Sequence, residues 1–168
     1  CIISTFSSKL WRLLAITEAA SAAGRRLAVT GAGVEQTLEI GRDFGLIPAD
    51  GSIENLLSLS GDSRITPEQR HKYVIIATGC QAEWRAGLAR IAAGEHKSYR
   101  LSPGDRVILS SRIIPGNERG VLGLCNRVIR AGAEVITTRD AGDIHVSGHG
   151  HREDLALLIR ASRPKVFL

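Results

Sequence analysis

The sequence predicts an α/β fold, a parallel sheet with helices on both faces. Three observations predict it. Short apolar, β-branched runs alternate along the chain with longer amphipathic stretches. One of those runs, Tyr73-Val74-Ile75-Ile76-Ala77, is apolar throughout, as a strand covered on both faces must be. Glycines (Gly24, Gly45, Gly94) close the amphipathic stretches, where helices stop. This repeated strand–helix order makes the sheet Rossmann-like. It places functional groups in the loops at the carboxyl ends of the strands.

Taken in order, residues 1–6 read as a buried strand. Ser7 and Ser8 offer caps to a helix over 9–23, with Leu10, Leu13, Leu14 and Thr17 on one side. Arg26–Thr30 is the next strand, and Gly31-Ala32-Gly33 turns into a helix over 34–44. Residues 46–71 are polar and irregular apart from an apolar patch at Ile53, Leu56, Leu57 and Leu59. The strand Tyr73–Ala77 and a loop over 78–81 lead into a helix over 83–93. Ser102-Pro103-Gly104-Asp105 is a turn that feeds the strand Arg106–Leu109. A loop over 110–116 precedes a helix over 118–131. Strands over 134–138 and 144–146, a helix over 153–162 and the start of a strand at 165–168 complete the pattern. No internal repeat or low-complexity linker interrupts it.

The 168 residues suit one domain with a real core, and 43% hydrophobic with 23% charged residues excludes disorder. A Met-free chain opening at Cys1 is expected to be a piece of a longer protein. No apolar run approaches a membrane span and no signal peptide is visible, so no membrane partner is expected. The net charge of +5 favours a polyanion such as nucleic acid. Cys1, Cys80 and Cys125 are odd in number and lack CxxC spacing, which signals neither a zinc knuckle nor a disulfide framework. A reducing, cytoplasmic location fits. With two Trp, two Tyr and three Phe, stacking platforms are scarce.

Five loops lie at the carboxyl ends of strands, Thr5–Lys9, Gly31–Gln36, Thr78–Arg85, Ser110–Glu118 and His145–His151, and the last four are weighed for chemistry. Gly31-Ala32-Gly33-Val34-Glu35-Gln36 half-matches GxGxxG, but Gln36 replaces the third glycine and would obstruct helix–strand packing, so it reads as a turn. No GxxxxGK[ST] run exists, which excludes a P-loop. In Thr78-Gly79-Cys80-Gln81-Ala82-Glu83-Trp84-Arg85, glycine at a helix start favours an anion. Gln81 and Arg85, four apart, would share a helix face and reach one phosphate. Equally, Gln81 would cap the helix and Arg85 pair with Glu83 or another acid. Cys80 at a helix start would be a stabilised thiolate, yet no base is assigned to it.

Ser110-Ser111-Arg112-Ile113-Ile114-Pro115-Gly116-Asn117-Glu118 gathers hydroxyls, a cation and an amide before a helix, which suits an anion; the alternative is capping by Asn117. The densest cluster is His145-Val146-Ser147-Gly148-His149-Gly150-His151, with three of the five histidines. On an extended segment His145, Ser147 and His149 point one way. With the Gly148 amide they suit a phosphoryl group, and a histidine there can protonate a leaving oxygen. The alternatives are a metal site lacking carboxylates, or surface histidines without a role. His151 reads as the start of the next helix.

In this order, Phe6-Ser7-Ser8, the 78–83 motif, the 110–118 motif and His145-Val146-Ser147-Gly148-His149 resemble the β-CASP domain of the ribonuclease J family, over nearly the whole chain. The resemblance implies a metallo-β-lactamase-type RNA hydrolase that degrades RNA by 5′→3′ exonuclease action and by endonucleolytic cuts, using two zinc ions. It implies that His149 contacts the scissile phosphate and assists the leaving group. His145, Ser147 and Gly148 would hold phosphate, and Gln81, Arg85, Ser110 and Ser111 would bind the RNA substrate. The sequence departs from the family pattern at Lys9 (usually Asn), Cys80 (Ser), Ala82 (Gly) and Trp84 (Pro), positions that bear on 5′-phosphate preference and RNA path.

The family's HxHxDH run is absent from this chain. Residues 1–143 are therefore expected to form the β-CASP domain. Residues 144–168 would be its end and a return segment toward a metallo-β-lactamase domain. No metal ligand or cofactor is expected within the chain, which alone should be inactive. Expected partners are RNA, the missing domain and a second copy in a homo-oligomer. Two alternatives stand beside this reading: a non-catalytic RNA- or nucleotide-binding module, and a β-CASP hydrolase acting on DNA or a small phosphoester.

Overall fold

The computed structural model describes residues 1–47 and 56–166. Six strands form one parallel sheet: β1 (Ile2–Ser4), β2 (Arg26–Thr30), β3 (Leu57–Ser58), β4 (Tyr73–Ala77), β5 (Arg106–Leu109) and β6 (Glu134–Ile136). Their order is β3-β2-β4-β1-β5-β6. The chain leaves β1 toward one edge and, after β4, crosses β1 to begin β5 on the other side. The carboxyl ends around β4, β1 and β5 thus form the switch point where an open α/β sheet keeps its crevice. Ser4, Ala77 and Leu109 lie in register there.

Period-2 alternation along the strands separates two cores. Leu27, Val29, Val74 and Ile76 pack with Leu13, Leu14, Ile16 and Ala20 of α1 (Leu10–Ala22) and Val34 and Leu38 of α2 (Ala32–Asp43). On the other face Ile75, Ala77, Val107 and Leu109 pack with Leu88 and Ile91 of α3 (Gly87–Ala92) and Val121, Leu124 and Val128 of α4 (Glu118–Arg130). A final helix, α5 (Arg152–Ser162), buries none of its residues. Among the described residues no helix is long and apolar enough to cross a membrane.

Several local expectations change. Residues 83–86 are not helical; α3 starts at Gly87, where the Gly87 and Leu88 amides bond Thr78 Oγ1 and O. A Cβ at Gly87 would sit 2.6 Å from Thr30 Cγ2, so only glycine lets α3 enter this close to β2. Segment 144–146 is not a strand: a 3₁₀ turn at Gly142–Ile144 ends in irregular chain. Strand β6 stops at Ile136 because the Thr137 amide bonds Asp140 Oδ2 (2.8 Å) and turns the chain away. The two-residue β3 lies in a region expected to be irregular; Ile53 lies outside the described residues. Lys165 and Val166 form no strand, and residues 167–168 lie outside the described residues.

The amino end of the sheet is tied by Asp105. Its Oδ1 accepts from Tyr99 Oη (2.8 Å), and its Oδ2 from Arg70 Nη1 (2.8 Å) and the Ser102 amide (3.0 Å). Arg70 stacks over the Tyr99 ring, 5.1 Å from its centroid, and also bonds Ser102 Oγ.

Candidate functional site

At the carboxyl end, three stretches distant in sequence meet through one guanidinium. Arg12, on the first turn of α1, donates from Nη1 to Ser110 Oγ (2.8 Å) and Ile144 O (3.2 Å), and from Nη2 to Val146 O (2.8 Å). Ser110 Oγ itself donates to Ile144 O (2.6 Å). His145 Nδ1 donates to Ser110 O (3.3 Å), since a carbonyl can only accept, and Nε2 has no partner among the described residues. The His149 amide bonds Ser147 Oγ (3.2 Å) and curls the segment. A Cβ at Gly148 would run into Lys9 Nζ, so the glycine lets the ammonium lie against the backbone.

These contacts enclose a cleft of ≈ 380 Å³, into which Phe6, Lys9, Arg12, Arg112, His145 and His149 face; among the described residues no carboxylate lines it. Burial first, then the Arg12, Arg112 and Lys9 cations, hold the His145 pKa below the ordinary imidazole value; the bond to Ser110 opposes them. Ser147 and Gly148 complete the wall.

Gln81 is buried behind this wall. Its Nε2 donates to Arg112 O (2.8 Å) and Ser111 Oγ (3.3 Å), and its Oε1 accepts from the Ile114 amide (2.9 Å) and Asn117 Nδ2 (3.4 Å). It is a bracket between the 78–86 and 110–117 loops, and it shares no helix face with Arg85. Asn117 gives α4 no side-chain cap. Cys80 is 2% exposed and burial pushes its thiol pKa up, the reverse of a stabilised thiolate. Arg85 stacks on Trp84, 4.3 Å from the ring centroid, and lines a different cavity. Glu83 instead accepts from the Gln81 amide (3.0 Å).

One comparison is decisive: residues 1–128, which include the 78–86 and 110–117 loops, match the family described as ribonuclease J, β-CASP domain. The chain belongs to the ribonuclease J family, as its β-CASP domain. Ribonuclease J of Corynebacterium glutamicum is 38% identical over 164 residues, 98% of this chain and 22% of the relative. That of Mycolicibacterium smegmatis is 37% identical over 164 residues, 98% of this chain and 28% of the relative. That of Helicobacter pylori (strain 26695) is 36% identical over 170 residues, 99% of this chain and 23% of the relative. The chain thus spans about a quarter of the length of the curated relatives it matches.

The cleft brings together His145, Ser147, Gly148 and His149, with Ser110 beneath them. Gln81 and Ser111 stand behind it, and Arg85 lies outside it. Sequence reasoning missed Arg12 altogether and gave Lys9 and Phe6 no role of their own. A signal was present: the first turn of α1 holds no acid, and Lys9 and Arg12 set cations at the positive end of a helix dipole. Such a local conflict marks a site. Zinc does not fit here. Among the described residues no three His, Cys, Asp or Glu side chains converge, and Lys9, Arg12 and Arg112 surround the two imidazoles of the cleft.

Proposed function

We propose that this domain supplies the RNA-phosphate half of the active cleft of a ribonuclease J-type RNA hydrolase with 5′→3′ exonuclease and endonuclease action. The observation that carries it is the convergence of Lys9, Arg12 and Arg112 on a cleft containing His145, Ser147 and His149, with no carboxylate among its described lining residues. A phosphodiester placed there is attracted by three cations and meets the Ser147 hydroxyl and the Gly148 backbone. The half-buried Phe6 offers one face for a base to stack on. His145, kept neutral by its neighbours, would take a second proton on Nε2 once a phosphate balances those cations.

His149 is exposed at the rim, where its imidazolium can give a proton to the departing oxygen as the P–O bond breaks. Two zinc ions, held by a metallo-β-lactamase domain elsewhere in the full-length protein, would supply the activated water. All three cysteines are free, which suits a cytoplasmic protein.

The test is His149→Ala in the full-length protein. Single-turnover cleavage of single-stranded RNA should fall about 10²–10⁴-fold. Zinc content should stay constant and RNA affinity should drop only modestly. Cleavage near wild type overturns the role, and loss of zinc together with activity makes His149 a ligand. RNA retained without cleavage by the full-length wild type supports a binding module instead. Equal turnover of a DNA oligomer of the same sequence removes the RNA assignment.

A further inference from the structure

A second cavity of ≈ 310 Å³ opens at the same end of the sheet, over the carboxyl ends of β2 and β4, and shares no lining residue with the cleft. Three cations enter it from separate places: Arg85 from the 78–86 turn, Arg90 from the last turn of α3, and Lys97 beyond that helix. Among the described residues no carboxylate lines it. Among the described residues the ion pairs are Arg70–Asp105 and Arg106–Glu134, so none of the three is paired. Glu35, on the first turn of α2, accepts at Oε1 from Ser58 Oγ (2.6 Å) and Ser60 Oγ (2.8 Å), keeps its charge, and is not among the residues lining the cavity. Like charges gathered without an acid repel one another, and an anion between them removes that cost.

The floor is built for the same ligand. His96 Nδ1 accepts from the Ser98 amide (3.2 Å), so its Nε2 carries the hydrogen and donates to Thr30 Oγ1 (2.9 Å). Thr30, 3% exposed, is therefore an acceptor in that bond, and its own O–H is left to donate. Thr78 is in the same position: its Oγ1 accepts from the Gly87 amide (3.2 Å), which leaves its hydrogen unused. Both threonines line the cavity. Gly31 and Gly33 close it at the start of α2, which no side chain caps. A Cβ at Gly31 would come 2.6 Å from Thr78 Cγ2, so only a bare backbone fits over the hydroxyl. Cations on the walls, free hydroxyl hydrogens on the floor and open amides at a helix start are the donor set of an oxyanion.

We infer that this cavity is a second phosphate-binding site, separate from the cleft. Gly33 on its rim backs onto Ser7, which lies between the cleft residues Phe6 and Lys9. The openings are about two strand spacings apart, ~10 Å. The phosphate therefore comes either from the same RNA strand or from a free nucleotide.

The test uses the full-length protein and its Arg90→Gln/Lys97→Gln double variant, whose substituted side chains are exposed. Inorganic phosphate is titrated by ³¹P line broadening. Affinities for a dinucleotide and for a ten-nucleotide single-stranded RNA are measured against salt. If the strand supplies the phosphate, the longer RNA loses about tenfold in affinity, its log–log salt slope falls by about 0.7, and the dinucleotide is unaffected. If a free nucleotide supplies it, binding of phosphate and of 5′-AMP weakens at least tenfold while both RNAs bind as before. Unchanged binding of every probe overturns the inference. So does loss of all phosphate binding in Lys9→Ala, because the cleft is then the sole site. Lys97→Gln alone carries the same test if the double variant unfolds early.

Discussion

Arginine does opposite work at the two ends of the sheet. At the amino end Arg70 is matched: Asp105 takes its Nη1 at 2.8 Å, the same carboxylate takes Tyr99 Oη, and the guanidinium lies over the Tyr99 ring. Burial and the Asp105 carboxylate push the Tyr99 pKa far above the ordinary phenol value, so the phenol stays neutral and donates. At the carboxyl end Arg12, Arg112, Arg85 and Arg90 have no carboxylate partner among the described residues. Arg12 is spent on backbone carbonyls, and such bonds neutralise nothing. A matched cation locks strands together, whereas an unmatched one keeps its field for a ligand.

Removing the match should have the largest effect. Asp105→Ala leaves Arg70 and the Tyr99 hydroxyl without their acceptor in a largely buried place, and Arg70 Nε already lacks a partner. A loss of about 3–5 kcal/mol in urea unfolding is expected. A loss under about 1 kcal/mol would make the tie no stronger than a surface pair.

The unmatched end should respond in function more than in stability. Arg12→Ala frees Ile144 and Val146 from α1, yet both carbonyls can turn to water, so stability should change by less than about 1.5 kcal/mol. Amide exchange over 145–149 should accelerate, and RNA cleavage by the full-length protein should fall. Arg12→Lys should not restore it, because an ammonium cannot span three acceptors in a planar fork. Unaltered exchange in Arg12→Ala would show that the segment holds itself.

A smaller effect should follow pH. His96 is held below 6.5 by burial and then by Arg90, and His145 by burial and its three cationic neighbours. As pH falls, the unfolded chain therefore takes up protons first. The stability present above about 6.5 is lost between that value and the lower folded-state values. Melting temperature should decline from pH 7.5 to 5, less steeply in His96→Gln. An equal slope in that variant would assign the decline to other groups.

What the sequence determined by itself was local in origin. Strands β2, β4 and β5 were legible to the residue because a run of β-branched side chains needs no distant partner to favour an extended chain. Helices α1 and α4 were legible to within a residue at each end, from apolar periodicity and closing glycines. The order of the motifs at 6–8, 78–83, 110–118 and 145–149 was enough to name the family, which the match over 1–128 and relatives covering 98% of the chain show. Tertiary structure alone decided where their side chains went. Gln81 spends its amide on a carbonyl 31 residues away, which turns an apparent ligand into a bracket and separates it from Arg85. Arg12 reaches Val146 across 134 residues, and no pattern within one turn of helix announces such a partner. Propensity acts over a few neighbouring residues. The strand order β3-β2-β4-β1-β5-β6 chooses which distant loops share an end of the sheet, and packing there decides whether each polar atom is spent on the protein or left for a ligand.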